Sequence, residues 1–247
     1  MSVDLNADLG EGAGQDDALL ELVSSANIAC GLHAGNAAML RDSILAAKAR
    51  GVAIGAHPSF DDRANFGRTE IALPPHDVFA LVVYQLGAFL AVAHSLGATV
   101  QHLKPHGALY NMAARSEEMA DAIVRAMKAV DPRLLLFAPA ASALARVAEA
   151  NATPIAREVF ADRNYMPDGS LVPRTRPDAL LHDPAEAANR VFGMLRDNTV
   201  RAIDGSEVHV EADTICVHGD TPGAVEFARE LRLALHQMGV LVAAVGT

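Results

Sequence analysis

The chain has 247 residues, 51% hydrophobic and 20% charged, which excludes a disordered polymer and fits one large domain, since α/β barrels run about 200–250 residues as a single unit. Its formal net charge of −10 excludes a general attraction to nucleic acid or to an anionic membrane surface. No basic-then-apolar leader opens the sequence, no apolar run of about 18 residues is expected to span a membrane, and Cys30 and Cys216 read as buried thiols that fit no zinc spacing; the expected location is the cytoplasm.

In chain order, strand-like runs alternate with helix-like ones. The first strand, 2–8, carries Asp4, Asn6 and Asp8 on one face at the period of two and leads into a glycine-rich segment, 10–14. That segment is a candidate phosphate cradle at the start of a following helix, or a plain loop. The second strand, 27–32, leads into His33 and Asn36, and the helical spacing of 36–50 places Asn36 to cap a helix. The third strand, 52–57, ends at His57. The stretch 55–68 around Asp61 and Arg68 reads as a long functional loop or a surface lid. A helix over 75–96 follows. The fourth strand, 99–104, leads to three cationic or titratable groups on one face, His102, Lys104 and His106, and Pro105 is expected to end it so that the next loop turns away. Next come a helix over 116–129, a strand over 134–138, a helix over 140–150, and a strand over 154–160 that carries Glu158 before Asp162 and Arg163. A helix over 184–197, a strand over 213–218 ending at His218 and Asp220, a helix over 221–238 and a weaker strand over 240–245 complete the chain.

This alternation predicts parallel strands joined by right-handed crossovers: a single (β/α) barrel domain of about seven strands, with a doubly wound sheet as the alternative. In a barrel the C-terminal strand ends meet on the face where active sites are built. A lone strand-end histidine is more often structural than catalytic. Four of them, His33, His57, His106 and His218, together with strand-end carboxylates, predict a pocket instead. His76, His94, His182, His209 and His236 lie in helix or loop contexts and read as structural or surface residues. Three chemistries fit the set: metal-assisted hydrolysis, phosphoryl transfer with Lys104, Arg68 or Arg163 stabilising phosphate, and general acid/base work by Asp8, His106 or Glu158. No HExxH pair is present, so whether a tightly bound metal takes part stays open.

The segments DLNADLGEG, NIACGLHAG, GAHPSFDDRANFGR, HLKPHGALYN, EVFADRNY, GSLVPRT and the final CVHGD together resemble the LamB/YcsF family, from about residue 3 to 245. The characterised members of that family serve as one component of the prokaryotic ATP-dependent 5-oxoprolinase. The resemblance implies a seven-stranded barrel related to sugar deacetylase folds. It also implies opening of the 5-oxoproline lactam to glutamate with ATP, Mg²⁺ accompanying the ATP, in a complex with two other subunits. Carried onto this chain, the functional surface comprises Asn6, Asp8, Glu11, His33, Asn36, His57, Asp61, Arg68, Lys104, His106, Glu158, Asp162, Arg163, Asn164, His218 and Asp220. Of these, Asp8, Lys104, His106 and Glu158 are the expected catalytic residues, and Asn6, His33, His57, Arg68, Arg163 and His218 the expected substrate contacts. Lys104→Met is expected to abolish turnover and leave the fold intact. Two alternatives remain: a metal-dependent carbohydrate or amide deacetylase, and a substrate-binding component without chemistry of its own.

Overall fold

A computed structural model describes residues 1–173, 175–181, 183–217 and 223–246. Its strands are β1 (Ser2–Leu9), β2 (Ser25–Ala29), β3 (Ala53–His57), β4 (Val100–Leu103), β5 (Leu135–Pro139), β6 (Ile155–Phe160), β7 (Thr199–Arg201), β8 (Glu207–His209), β9 (Thr214–Val217) and β10 (Leu241–Val242). Its helices are α1 (Asp16–Leu20), α2 (Ala37–Ala49), α3 (Pro75–Ser95), α4 (Gly107–Ala113), α5 (Glu117–Val130), α6 (Ala143–Ala150), α7 (Pro184–Asp197) and α8 (Ala224–Gln237).

Seven strands close a parallel barrel in the order β1, β2, β3, β4, β5, β6, β9 and back to β1, where Asp4 pairs with Thr214 and Ala7 with Val217. The weak C-terminal strand is real but short: β10 pairs only with Ser2 and Val3 of β1, beside the barrel. β7 and β8 form a separate antiparallel hairpin that the strand pattern did not announce.

Helices α2, α5, α6 and α7 begin after a residue whose side chain meets unpaired backbone N–H groups. Asn36 Oδ1 accepts from the N–H of Ala38 and Met39 at the start of α2. Ser116, Ser142 and Asp183 cap α5, α6 and α7 in the same way. α3 has 21 residues and mean hydropathy 1.8 over its most apolar window, long and apolar enough to cross a bilayer, which corrects the expectation that no such segment exists. In this fold its buried residues, Val78, Val82, Leu86, Phe89 and Ala93, belong to the core, and the helix packs against α5 in the outer layer. α1 and α4 are additional to the expected helices. α4 starts at Gly107, directly after His106, so the chain does not turn away from the barrel after Pro105; it turns back over the mouth.

Alternation along each strand divides the polar from the apolar. Leu5, Ala7, Leu9, Ile28, Ile54 and Leu103 belong to the apolar core. Asp4, Asn6, Asn27, His102, Glu158 and Thr214 are just as buried but bond to one another across the barrel. A polar interior is stable only when its groups find partners, because an unmet buried donor or acceptor costs about 1–3 kcal/mol.

Candidate active site

The floor of the site is a linked set of side chains from five barrel strands. Asn6 on β1 donates from Nδ2 to Glu158 Oε1 (3.0 Å) and to Thr214 Oγ1 (2.7 Å). Asn27 on β2 donates to Asn6 Oδ1 (2.7 Å) and Asp8 Oδ1 (2.9 Å), and accepts from His102 Nε2 on β4 (2.8 Å). Thr214 on β9 donates its hydroxyl to Asp4, which also accepts from Ser24 and Ser25. Burial raises the Asp4 carboxyl above its usual range, against these hydrogen bonds. His102 stacks on Phe137 with ring centroids 4.1 Å apart, and a Cβ at Gly55 would lie 2.0 Å from its Nε2, so residue 55 has to be glycine for the imidazole to fit.

Lys104, just past β4, sits at the centre. Its Nζ is 2.8 Å from Glu158 Oε1 and 3.1 Å from Asp8 Oδ1, and donates also to Asn6 Oδ1 (3.2 Å) and Cys216 Sγ (3.1 Å). Burial disfavours the ammonium, but Asp8, Cys216 and Glu158 together hold its pKa well above the ordinary lysine value. Burial likewise works against the Asp8 carboxylate, yet His57 and the Lys104 ammonium hold it well below the usual range. Tyr110 on α4 donates its hydroxyl to Glu158 Oε2, and burial, then Glu158, push that phenol well up. Glu158 therefore has both oxygens engaged, by Lys104 and Asn6 on one side and Tyr110 on the other.

One wall is a histidine cluster. His57 Nδ1 lies 2.7 Å from the Lys104 carbonyl, His106 Nε2 lies 2.9 Å from the Phe66 carbonyl, and the remaining nitrogens, His57 Nε2 and His106 Nδ1, lie 2.9 Å apart. His33 stacks on His106, 3.9 Å between centroids and 7° from parallel, and its Nε2 is 2.9 Å from Glu11 Oε1. The same Glu11 oxygen is 3.4 Å from His106 Nδ1 and 3.9 Å from His57 Nε2. Burial, then the neighbouring His57, push His106 down to about 3; burial, then His106, push His33 lower still. The loop after β3 supplies the Phe66 carbonyl from a left-handed residue (φ 57°). The next residue, Gly67 (φ 66°), leaves no room for a Cβ, which would lie 2.2 Å from Ser59 Oγ.

These groups open onto a cavity of about 790 Å³, within the usual range of about 300–1,000 Å³ for small-molecule sites. Of the residues expected from sequence, Asp8, Glu11, His57, Arg68, Lys104, His106, Glu158 and Arg163 line it. Asn6 lies beneath in the floor network, and His33 stands behind Glu11. Asn36 is exposed and caps α2, so its side chain serves the helix end. Asp61 is exposed and outside the lining; Asn164 donates to the Asp178 carbonyl and pins the segment after β6. Asp162 is not among the lining residues. His218 and Asp220, with His182, lie outside the described residues.

The contacts of the glycine-rich 10–14 segment favour the plain-loop reading over a phosphate cradle. The Gly10 N–H donates to Asp16 Oδ2 at 2.7 Å, and the five-residue α1 opens on two acids, Asp16 and Asp17, which repel an anion. Cys216 is buried as expected and burial raises its thiol well above the usual range, whereas Cys30 is partly exposed. Sequence reasoning missed Tyr110, Asn27, Thr214 and Cys216 as parts of the site. Parity gave a usable signal for Thr214 and Cys216, which share one face of β9 and bond Asn6 and Lys104. Tyr110 lies inside the quoted segment HLKPHGALYN, but its contact with Glu158 depends on the unforeseen α4.

The fold and site define a parallel (β/α) barrel protein with a small-molecule cavity at its C-terminal mouth, floored by paired acids and a lysine and walled by histidines. The chain matches the LamB/YcsF family over residues 3–247 and belongs to that family. It is similar to the lactam utilization protein of Thermus thermophilus, at 46% identity and TM-score 0.93, covering 99% of this chain and 100% of that one. A family 4 carbohydrate esterase from Streptomyces lividans shares the barrel at 12% identity and TM-score 0.51, covering 99% of this chain and 93% of that one, a likeness of fold alone.

Proposed function

We propose that this chain opens the lactam of 5-oxo-L-proline to L-glutamate in an ATP-dependent reaction, as the barrel component of a multi-subunit cytoplasmic 5-oxoprolinase with two partner subunits. Membership of the LamB/YcsF family and the likeness to a lactam utilization protein support the substrate class. The observation that carries the chemistry is the buried Lys104 ammonium, fixed between Asp8 and Glu158 on the floor of a cavity whose lining includes Arg68, Arg115 and Arg163.

Amide resonance makes the lactam carbon a poor electrophile. In this reading the lactam oxygen attacks the γ-phosphorus of ATP, that oxygen–phosphorus bond forms as the bond to the β-phosphate oxygen breaks, and ADP leaves; Mg²⁺ on the nucleotide would offset its phosphate charge. Water then adds to the activated carbon, the ring C–N bond breaks as the nitrogen takes a proton, and a second water displaces phosphate to leave glutamate. Arg68 and Arg163 meet the substrate carboxylate and the phosphoryl oxygens, as guanidinium groups do well. Lys104 is already balanced by two carboxylates, so it acts as a fixed positive charge beside the developing oxyanion rather than as a mobile ligand for phosphate. Glu158, engaged at both oxygens, orients Lys104. Asp8, ionised and with 14% of its side chain exposed, is the acceptor that orients the attacking water.

The test is glutamate formation from 5-oxoproline by the purified chain, with and without ATP and the partner subunits. Glutamate released only with ATP and the assembled complex supports the reading. Glutamate formed without ATP, or no conversion in the complete mixture, contradicts it.

A further inference from the structure

The two histidines that face each other across the cavity wall are set up to share a cation. A carbonyl oxygen only accepts, so His57 Nδ1 carries its hydrogen toward the Lys104 carbonyl and His106 Nε2 carries its own toward the Phe66 carbonyl. In the neutral rings, the lone pairs left over are on His57 Nε2 and His106 Nδ1, the two atoms 2.9 Å apart. Lone pairs do not face each other at that distance unless a positive centre lies between or beside them. Two carboxylates reach the same point: Glu11 Oε1 is 3.4 Å from His106 Nδ1 and 3.9 Å from His57 Nε2, and Asp8 Oδ2 is 3.4 Å from His57 Nε2. Those separations are long for hydrogen bonds but ordinary between two ligands of one ion. At metal–nitrogen distances of about 2.0–2.1 Å, the observed nitrogen separation subtends roughly 90°, a cis pair in an octahedral or five-coordinate shell.

We propose that His57 Nε2, His106 Nδ1 and Glu11 form a binding site for one divalent first-row transition-metal ion, with its open positions toward the cavity and Asp8. All four side chains line the same cavity, and the ligand-bearing atoms of Glu11, His33, His57 and His106 lie within 4.8 Å of one another. His33 is a positioning residue rather than a fourth ligand. Its ring is parallel to that of His106 and stacked on it at 3.9 Å, so an ion in the plane of one ring cannot lie in the plane of the other. Its hydrogen bond instead orients Glu11, as the outer partners of metal sites do. Three protein ligands and an open position are the pattern of a metal that binds substrate or water, in contrast to a closed structural site. The site stands whether or not the substrate is a lactam. With a lactam in the cavity, the ion would supply Lewis-acid polarisation beside Asp8.

The experiment strips the purified full chain with chelator and titrates it with Co²⁺, Mn²⁺ and Zn²⁺ by calorimetry, following Co²⁺ also by visible absorption. The expected result is one ion per chain. Glu11→Gln and His106→Asn should each weaken binding by about a hundredfold or more, and His33→Ala by about tenfold, given that outer-partner losses run about 10–100-fold. Metal-free melting and circular dichroism of each variant check the fold. Glu11→Gln preserves side-chain size and lies in the loop after β1, so it carries the test if the His106 variant does not fold. No stoichiometric binding of any of the three ions by the wild-type chain would overturn the proposal and leave a proton shared by the two rings. Binding unchanged in the Glu11 and His106 variants would also overturn it, by moving the ion elsewhere. Because the readout is binding, failure here leaves the ATP-dependent lactam reading standing, and failure of that reading leaves this site standing.

Discussion

On the floor of the cavity, Lys104 lies against two carboxylates, and Glu158 is met further by Asn6 at one oxygen and Tyr110 at the other. On the adjoining wall, His57 and His106 spend one nitrogen each on a backbone carbonyl and turn the others toward each other, with Glu11 alongside. The floor is complete as protein, since its cation and anions are all supplied by the chain. Among the described residues, the wall gathers two imidazole nitrogens and carboxylate oxygens around one point, the point assigned above to an ion. The difference separates two kinds of polar burial: one holds the barrel interior together, the other is shaped for something that arrives from the cavity.

Removing the central ammonium breaks the floor most severely. Lys104→Met leaves Asp8 and Glu158 facing each other without compensation, and breaking a buried pair this way costs about 3–5 kcal/mol. The contacts of Lys104 thus argue against an intact fold in this variant: urea denaturation should show the loss of stability together with lost turnover. A variant as stable as wild type would show that the floor is not a charge-balanced unit.

Acid should loosen the interior next. Burial, then Lys104, hold His102 down to about 3 from an ordinary 6.5. Below pH 6.5 the unfolded chain binds a proton that the folded chain refuses, so stability falls as pH drops from 6.5 toward 3, by up to about 1.4 kcal/mol per pH unit for one such group. His106, also held at about 3, adds a slope of the same sign. The depressed Asp8 acts only below the ordinary carboxylate range, and so does not confuse the comparison between about pH 7.5 and about pH 5. Urea midpoints at those two values should diverge in the wild type and diverge less in His102→Gln; identical slopes would show that His102 is not the group being titrated.

The smallest effect sharpens the boundary of the site. Asn36→Ala removes the cap of α2 and should cost about 1 kcal/mol of stability. Binding and turnover measured on the folded protein should not change. Altered kinetics at full stability would return Asn36 to the functional surface.

Much of this arrangement was legible because strand parity is rigid. Asp4, Asn6 and Asp8 on β1 and His102 and Lys104 around β4 face inward as the period of two requires, and the parallel barrel brings their ends to one mouth. What was not legible depends on chain reversals with weak local signals. α4 begins at a left-handed Gly107 (φ 54°), two residues after Pro105, and that turn alone carries Tyr110 to Glu158. The opposition of His57 and His106 could not be read either. It depends on the carbonyls of Lys104 and Phe66, and main-chain acceptors carry no side-chain signature. Asn36 and Asn164 entered the expected surface through motif resemblance, although one caps a helix and the other pins a loop.

The most direct measurement is a crystal structure of the full chain grown with Mn²⁺ or Co²⁺, with anomalous scattering recorded at the metal edge. One anomalous peak is expected in contact with His57 Nε2, His106 Nδ1 and Glu11, with the Lys104 contacts to Asp8 and Glu158 undisturbed. No peak at that position, with the two imidazoles still in direct contact, would contradict the proposed site.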